Sequence, residues 1–390
     1  MAVFVPAWDE AEVIGAMLTA LLDRYDYPHY TVFVGAYPND PGTIAQVAVI
    51  AERDPRVRLV IGARPGPTTK ADCLNTLWQA LLRDEAHGGT AKAVVLHDAE
   101  DLVHPAELRI FDWLIGRHAA VQLPVLPLID PRGRLVSGCY ADEFAESHAK
   151  QLQVREALGV GLPLAGVGCA IARDWLARIA KPAGPFDAAS LTEDYELGLA
   201  LGTAGGSSIF VRVPEAAGGR VPVAVRAYFP ARVDAAVRQR ARWMVGIALA
   251  GWDRLGWARP LAWRDHWMRL RDRRGPLAVL VLGAAYLGLL LWGASALGHA
   301  LGGTPRPALL PAWLVLATSA LMLWRLVLRM GFTAALYGPR EALWAAPRLV
   351  VGNYLSLLAA RRALTCYVAM LRGRALAWEK TAHHFPESAR

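Results

Sequence analysis

One stretch decides the fold of this chain: Ala93-Val94-Val95-Leu96-His97-Asp98-Ala99-Glu100-Asp101. Its four apolar residues predict a short buried strand, and acidic residues follow where the strand ends. In open α/β sheets ligands bind in the crevice beyond the strand ends. Asp98 and Glu100 lie two residues apart and point the same way from extended backbone, so they are predicted to share one Mg²⁺ or Mn²⁺ ion. For Asp101 an alternative to a role in ligand binding stays open, in which it is a solvated acid in the turn before the next helix.

Short apolar runs of the same kind alternate with helical periodicity over the first hundred residues. The alternation predicts an α/β fold with a doubly wound sheet. Strands are predicted over 3–5, 31–35, 57–61 and 93–96, and helices over 11–22, 42–52 and 70–83. Residues 214–220 are rich in alanine and glycine and predict a loop that leaves this domain.

The second half of the chain carries most of its apolar character. Hydrophobic residues make up 54% of the sequence and the mean hydropathy is +0.26. Residues 277–298 contain no charge and 308–324 end just before Arg325, so two membrane-spanning helices are predicted. Residues 343–371 are apolar but interrupted by arginines and Pro347, which predicts a pair of interfacial helices rather than a third span.

The net charge is +8, and seven arginines of residues 254–274 crowd ahead of the first predicted span. The loop 299–307 between the spans carries only Arg306, a distribution that predicts cytoplasmic ends and an external tip. The basic segment would then meet anionic lipid. No zinc-finger or RNP-type motif supports nucleic-acid binding. The four cysteines have no metal-binding spacing, which favours a reducing compartment.

Two further polar motifs follow the acidic one. Thr192-Glu193-Asp194 precedes a predicted helix, where a Thr cap followed by acids is also what an ordinary helix start prefers. Gln239-Arg240-Ala241-Arg242-Trp243 has helical spacing that puts Arg238 and Arg242 on one face and Gln239 and Trp243 on the next. A basic helix lying on a membrane is a compatible reading.

These three motifs, in this order, resemble those of the family-2 inverting glycosyltransferases, and the last resembles that of the cellulose-synthase-like membrane enzymes. Residues 5–10, 37–41 and 378–386 resemble the branch that includes the membrane glycosyltransferase of a phage-adsorption system. The resemblance implies a GT-A nucleotide-sugar-binding domain over 1–230, amphipathic interface helices over 231–276, a transmembrane hairpin over 277–330, and cytoplasmic interfacial helices with a gate-like tail over 331–390. It also implies upstream spans, so we expect this chain to be a fragment or to have a late start.

The resemblance assigns roles to individual residues. Asp194 is the expected catalytic base, with Glu193 beside it. The expected donor-binding residues are Pro6, Ala7, Glu10, Tyr37, Asn39, Asp40, Lys70, Asp98, Gln239, Arg242 and Trp243. Gly168, Cys169 and Trp243 are expected at the acceptor, and Asp98 and Glu100 at the metal. For Asn39 and Asp40 a turn chosen for its backbone geometry stays open, and Arg240 is an alternative to Arg242 at the diphosphate.

The expected reaction moves a sugar, an N-acetylhexosamine, from a UDP-sugar to a growing exopolysaccharide at the bacterial inner membrane, with the catalytic domain in the cytoplasm. Transfer to a polyprenyl lipid carrier is the alternative acceptor. A catalytically idle membrane scaffold that serves an outer-membrane partner is an alternative of another class. The mass of the product distinguishes a polysaccharide acceptor from a lipid carrier. Measurable turnover distinguishes either enzyme from the idle scaffold.

Overall fold

A computed structural model describes residues 1–304, 310–373 and 384–386. The strands are β1 Ala2–Pro6, β2 Thr31–Ala36, β3 Val57–Ile61, β4 Ala93–Leu96, β5 Ala120–Gln122, β6 Val125–Leu128, β7 Cys169–Ala172, β8 Ser208–Phe210 and β9 Val225–Tyr228. The helices of the first 273 residues are α1 Ile14–Arg24, α2 Pro41–Ala51, α3 Lys70–Ala86, α4 Glu107–Ile115, α5 Arg134–Glu146, α6 Leu152–Ala157, α7 Arg173–Ile179, α8 Glu193–Thr203, α9 Val233–Met244, α10 Ala250–Leu255 and α11 Trp263–Arg273. Three long helices follow: α12 Gly275–Leu301, α13 Ala312–Tyr337 and α14 Pro339–Leu371.

The central sheet has seven strands in the order β3-β2-β1-β4-β7-β5-β8. The four predicted strands are confirmed and pair in parallel, whereas β7 runs antiparallel to both of its neighbours. Apolar side chains from alternate strand positions form one buried cluster on each face of the sheet. The α/β class is therefore confirmed, with a mixed rather than wholly parallel sheet.

The predicted early helices are also present, and their starts follow from local chemistry. Asp40 accepts the backbone N–H of Thr43, and Pro41 occupies the first helical position of α2. The hydroxyl of Thr69 accepts the N–H of Asp72, so α3 begins at Lys70. This cap places the Lys70 side chain at the N-terminal end of α3, beside the carboxyl ends of the strands.

A second, two-stranded sheet pairs β6 with β9 and joins the central sheet at the acidic motif, where Leu102 bridges Arg226. The segment 214–220 is irregular, as predicted, but the prediction that it leaves the domain is wrong. The chain returns through it to form β9, which pairs with β6 and bridges to Leu102 beyond the end of β4.

Helices α10 and α11 are tied to the α/β domain by partly buried polar contacts. Asp272 of α11 accepts the Tyr195 hydroxyl of α8 at 2.7 Å and both terminal nitrogens of Arg155 at 2.7 and 3.0 Å. Arg254 of α10 pairs with Glu196 of α8. Helix α8 is therefore held by the same helices that lead into the apolar segments.

Helices α12, α13 and α14 are each long and apolar enough to cross a membrane, by length and composition. The hairpin prediction is consistent with α12 and α13, although residues 305–309 lie outside the described structure. The prediction of an interfacial helix pair over 343–371 is wrong, because α14 is one continuous helix that contains Pro347. The arginine that follows this proline is not exposed, so it does not demand a break in the helix.

That residue, Arg348, is fully buried between α14 and α5. Its guanidinium contacts Asp142 at 3.4 Å and Glu341 at 2.6 Å and donates to the Arg134 carbonyl at 3.2 Å. Asp142 has no exposed side-chain surface either. This buried ion pair therefore joins the long helix α14 to the α/β domain.

We expect Arg348→Met to lower the thermal unfolding midpoint of the detergent-purified chain by several degrees. It leaves the Asp142 carboxylate buried without its cation, a change that costs about 3 kcal/mol or more in comparable pairs. Differential scanning fluorimetry measures the midpoint. The control is Arg340→Met, an exposed arginine of the same helix, which should change little. Adding Asp142→Leu to Arg348→Met should recover part of the lost thermal stability. Equal midpoints for Arg348→Met and Arg340→Met would contradict the role of the buried pair.

Candidate active site

A cavity of about 480 Å³ opens beyond the end of β4, between the N-terminus of α8, the β6–β9 sheet and α9. Its polar lining combines the three sequence motifs with residues from the smaller sheet and the tail. The lining includes Lys70, Asp98, Glu100, Asp101, Asp130, Arg132, Thr192, Glu193, Asp194, Tyr228, Arg232, Asp234, Arg238, Gln239, Arg242, Trp243 and His384. The fold thus brings together residues that are up to 314 positions apart in sequence, from Lys70 to His384.

Lys70 is the cation that joins the first two motifs. Its ammonium lies 2.5 Å from Asp98 Oδ1 and 3.7 Å from Glu193 Oε1, and its side chain is largely buried. Burial disfavours the charged amine, but Asp98, Glu193 and Asp194 together raise the pKa of Lys70 above its ordinary value. The lysine therefore stays charged.

Asp194 occupies the first turn of α8 and accepts the backbone N–H of Tyr195 at 2.8 Å. Burial and the adjacent Glu193 carboxylate raise the pKa of Asp194 to about 7, against the opposing effects of Lys70 and Arg242. A carboxylate with such a pKa can accept a proton near neutral pH.

Thr192 sits at the cap position of α8, but its hydroxyl makes no cap hydrogen bond. The hydroxyl oxygen is buried and has no hydrogen-bond partner among the described residues. An added Cβ at Gly246 would lie 2.5 Å from it, so the segment after α9 packs tightly on this threonine. Ordinary helix capping therefore does not account for Thr192.

Asp101 lines the cavity but belongs to a buried network beneath Asp98. One of its oxygens accepts the Asp98 N–H and lies 3.0 Å from His97 Nδ1. The other ring nitrogen of His97 lies 2.9 Å from the Tyr25 hydroxyl and 3.2 Å from Glu107. Burial opposes the imidazolium, yet the two carboxylates raise the pKa of His97 to about 9. The solvated-turn reading of Asp101 is therefore wrong, and sequence reasoning missed the role of His97.

Asp98 and Glu100 both face the cavity and provide the carboxylate oxygens that Mg²⁺ and Mn²⁺ prefer. Within residues 1–304, 310–373 and 384–386, no three or more His, Cys, Asp or Glu side chains are arranged to hold a metal ion. The donor set therefore fits a cation bound by one or two carboxylates together with substrate phosphate and water, and does not fit a metal cage made by the protein alone.

Helix α9 presents Arg238, Gln239, Arg242 and Trp243 to the cavity. Arg240 turns the other way, bonds Glu143 at 3.1 Å and stacks over Tyr140. The structure therefore places Arg242, not Arg240, on the cavity wall. The indole of Trp243 packs in a group of rings with Tyr140, Phe144 and Phe229, which holds its orientation.

Six of the expected donor-binding residues, all from the first 40 residues of the chain, do not line this cavity. Asn39 exchanges two hydrogen bonds with the Gly66 backbone, and Asp40 caps α2 and accepts the Asp9 N–H. Tyr37 contacts Thr68 at 2.8 Å and packs edge-on against Trp8. The structure thus gives these side chains local roles at the ends of β1 and β2. The other three expected donor-binding residues from this part of the chain are buried in the same region: Pro6, Ala7 and Glu10.

Gly168 and Cys169 also lie just outside the lining, although Ala165 and Val167 belong to it. Cys169 is buried on β7, and burial raises the pKa of its thiol above the ordinary value. Gly168 has a φ of +57°, a conformation that favours glycine, at the point where its carbonyl accepts the Leu123 N–H.

Several lining residues had no sequence signal. Asp130, Arg132, Tyr228 and Arg232 reach the cavity only because β6 and β9 pair across about a hundred residues of sequence. In the tail, His384 lines the cavity, while residues 378–383 of the predicted gate lie outside the described residues.

Comparisons with known proteins identify several proteins that this chain resembles. The chain is 38% identical to bacteriophage adsorption protein B of Escherichia coli strain K12 and to bacteriophage N4 adsorption protein B of Escherichia coli O157:H7, over 99% of this chain and 55% of each relative. It therefore spans about half the length of these curated relatives. A mannosyltransferase from Pyrobaculum calidifontis, solved with GDP-mannose and Mn²⁺, is 20% identical, with 90% of this chain and 86% of that chain covered and a TM-score of 0.49.

The profile of the family described as glycosyltransferase like family 2 matches residues 1–246, from the first strand to the end of the third motif. This match covers the mixed sheet, which is of GT-A type, and every motif that lines the cavity except the tail. The chain therefore belongs to glycosyltransferase family 2, and it is a glycosyltransferase with three helices suited to a membrane.

Proposed function

We propose that this chain inverts the anomeric centre as it moves a sugar from a UDP-sugar to a growing exopolysaccharide. The observation that carries the proposal is the cluster of Asp98, Glu193 and Asp194 around the Lys70 ammonium in one cavity. One end of this cluster offers a base, and the other offers oxygen ligands and cations for a leaving diphosphate. Direct displacement at the anomeric carbon needs the base on one side of the sugar and the groups that stabilise the leaving diphosphate on the other.

Asp194 is proposed as the base that takes the proton from the acceptor hydroxyl. Its raised pKa suits this task, because a weakly acidic carboxyl both ionises near neutral pH and holds the proton that it receives. Glu193 is proposed to keep Lys70 in place, since its carboxylate lies 3.7 Å from the ammonium. No covalent intermediate is required, so the buried thiol of Cys169 has no catalytic role.

Lys70 and Arg242 are proposed to bind the diphosphate, whose negative charge grows as the bond to the sugar breaks. A divalent cation held by Asp98 and Glu100 would neutralise part of the same charge. Buried oxygens of Gln239 and Thr192 have no hydrogen-bond partner among the described residues. We propose that hydroxyl or amide donors of the bound sugar satisfy them, as an N-acetylhexosamine could.

The location proposed is the bacterial inner membrane with the catalytic domain in the cytoplasm. Arg271 and Arg274 precede α12, and Arg325 and Arg329 lie in the second half of α13, so the basic ends of the hairpin lie on one side. The names of the two relatives refer to phage adsorption. We propose that this protein works with an outer-membrane partner.

Turnover by the detergent-purified chain tests the donor and the base together. With a panel of UDP-sugars, we expect UDP release with a single N-acetylhexosamine donor, only when Mn²⁺ or Mg²⁺ is present. Asp194→Asn should reduce the rate at least about a thousandfold while donor binding persists, because the amide cannot accept the proton.

The matched control is Asp174→Asn, an exposed carboxyl on α7 that does not line the cavity, which should keep the wild-type rate. Product mass then distinguishes a polymer from a lipid-linked monosaccharide. Donor binding without turnover in every protein tested would contradict the enzyme proposal and favour an idle scaffold. Release that needs no metal would contradict the role of Asp98 and Glu100.

The pH dependence of kcat/KM is expected to show an acidic limb near pH 7. Asp194 must be ionised to act as a base, so activity falls as the pH falls through its raised pKa. Arg242→Gln removes a cation that lowers this pKa, so the limb should move to higher pH, whereas Arg242→Lys should leave it in place. Arg242 contributes least of the groups that shift this pKa, so the displacement should be small, and a limb that moves to lower pH in Arg242→Gln would contradict the assignment to Asp194.

Gly166→Ala is expected to reduce turnover about a hundredfold or more without unfolding the chain. An added Cβ would lie 2.8 Å from Asp194 Oδ2, so the carboxylate would have to move from its position. The residue has a φ of +75°, which costs about 1 kcal/mol for alanine. Gly159→Ala is the control, because Gly159 has a φ of +66° with open space around it. Equal rates in the two variants would show that the contact with Asp194 is irrelevant.

A further inference from the structure

A second polar cleft, of about 720 Å³, lies where α5 and the π-helical turn that follows it meet α11 and α13. It shares only Phe144 with the lining of the active-site cavity. Its basic residues are Lys150, Arg240, Arg271, Arg274, Arg325 and Arg329. None of the proposed catalytic or donor-binding residues belongs to it.

The acidic residues of this cleft are already paired. Glu143 lies 3.0 Å from Arg240 and 3.9 Å from Arg329, and Glu146 bonds Lys150 at 2.5 Å. Arg271, Arg274 and Arg325 have no ion-pair partner in the described part of the chain. Burial and nearby Arg212 lower the pKa of His148 to about 3, so this histidine adds no charge. The cleft thus holds a surplus of positive charge that no carboxylate of the described residues neutralises.

The inner wall of the cleft also has hydrogen-bond donors to spare. Arg240 and Arg329 are 11% and 8% exposed, and the Nε atom of each is buried without a hydrogen-bond partner among the described residues. Arg240 and Arg329 share a single carboxylate among the described residues, that of Glu143. Buried donors left unpaired are costly, so this wall favours an additional group with several acceptor oxygens.

The cleft lies where lipid headgroups would meet the protein. Arg274 directly precedes the first residue of α12, and Arg325 follows the exposed Trp324 in α13. Leucines of α12 and α13 are largely exposed, as expected of a surface covered by acyl chains. Tryptophan and arginine at the end of an apolar segment are typical of the interface between membrane and water.

We propose that this cleft binds the phosphate-bearing headgroup of an anionic phospholipid from the leaflet that faces the catalytic domain. The phosphate oxygens accept hydrogen bonds from Arg271, Arg274 and Arg325, and the acyl chains lie along α12 and α13. The bound lipid joins the end of α11 to α13 and so helps to set the height of the catalytic domain above the membrane. This site does not depend on the proposed glycosyl transfer.

Native mass spectrometry of the full chain in detergent tests the site, with equimolar phosphatidylglycerol and phosphatidylethanolamine added. We expect selective retention of phosphatidylglycerol. Arg274→Gln/Arg325→Gln should weaken its binding on the order of tenfold, because each basic residue near a headgroup contributes substantially to attraction. Neither arginine has a partner among the described residues, so the thermal midpoint should be unchanged.

The control is Arg53→Gln/Arg83→Gln, which removes the same charge from two exposed sites on the catalytic domain and should leave lipid binding intact. Millimolar inorganic phosphate or glycerol 3-phosphate should not displace the lipid, because neither has acyl chains. Displacement by either anion would overturn the lipid assignment in favour of a soluble anion. Equal retention of the two lipids, or equal loss in the two double variants, would overturn the site itself.

Discussion

Lys70 places one ammonium group between two carboxylates that come from distant parts of the chain, Asp98 at the end of β4 and Glu193 at the start of α8. Without that cation, Asp98, Glu193 and Asp194 would repel one another in a largely buried site. The lysine itself is held because Thr69 starts α3 at that point and because the sheet brings α3 and β4 to the same edge. The polar lining of the cavity depends on this arrangement, since it sets both the position of the proposed base and the charge balance around it.

Two buried networks hold the groups around Lys70 rigid. Beneath β4, His97 is held between Asp101 and Glu107, and Asp101 in turn accepts the Asp98 N–H. Around α8, Tyr195 and Glu196 bind this helix to Asp272 of α11 and Arg254 of α10. Because α11 runs directly into α12, a movement of the apolar helices relative to the domain would be transmitted to the helix that carries Asp194. The buried Arg348 pair provides a second connection through α14.

Local sequence patterns predict a structural element correctly where the interactions that form it involve neighbouring residues. The apolar run ending at Leu96 predicts a buried strand because its side chains have no polar alternative to the core, and helix caps at Asp40 and Thr69 follow from side-chain hydrogen bonds within three residues. The same reasoning failed for residues 343–371. There the arginines argued for an exposed interfacial pair, but Arg348 is neutralised by Asp142, which is 206 residues away, and the helix continues through Pro347. The roles proposed for the site residues rest on the family and on geometry together, and those at Tyr37, Asn39 and Asp40 stay predictions.

By itself, the sequence determined the α/β class, the order of the three motifs, the apolar segments and the carboxylates that the chemistry requires, because each of these depends on residues that are neighbours in the chain. Only the tertiary structure decided which side chains share a site. It turned Arg240 toward Glu143 and Arg242 toward the cavity, buried Asp101 under Asp98, and brought Asp130 and Tyr228 to the rim through the pairing of β6 with β9. It also gathered arginines of α9, α11 and α13 into the second cleft. The physical reason is that pairing between distant segments, and the charge balance that it creates, have no counterpart in local periodicity.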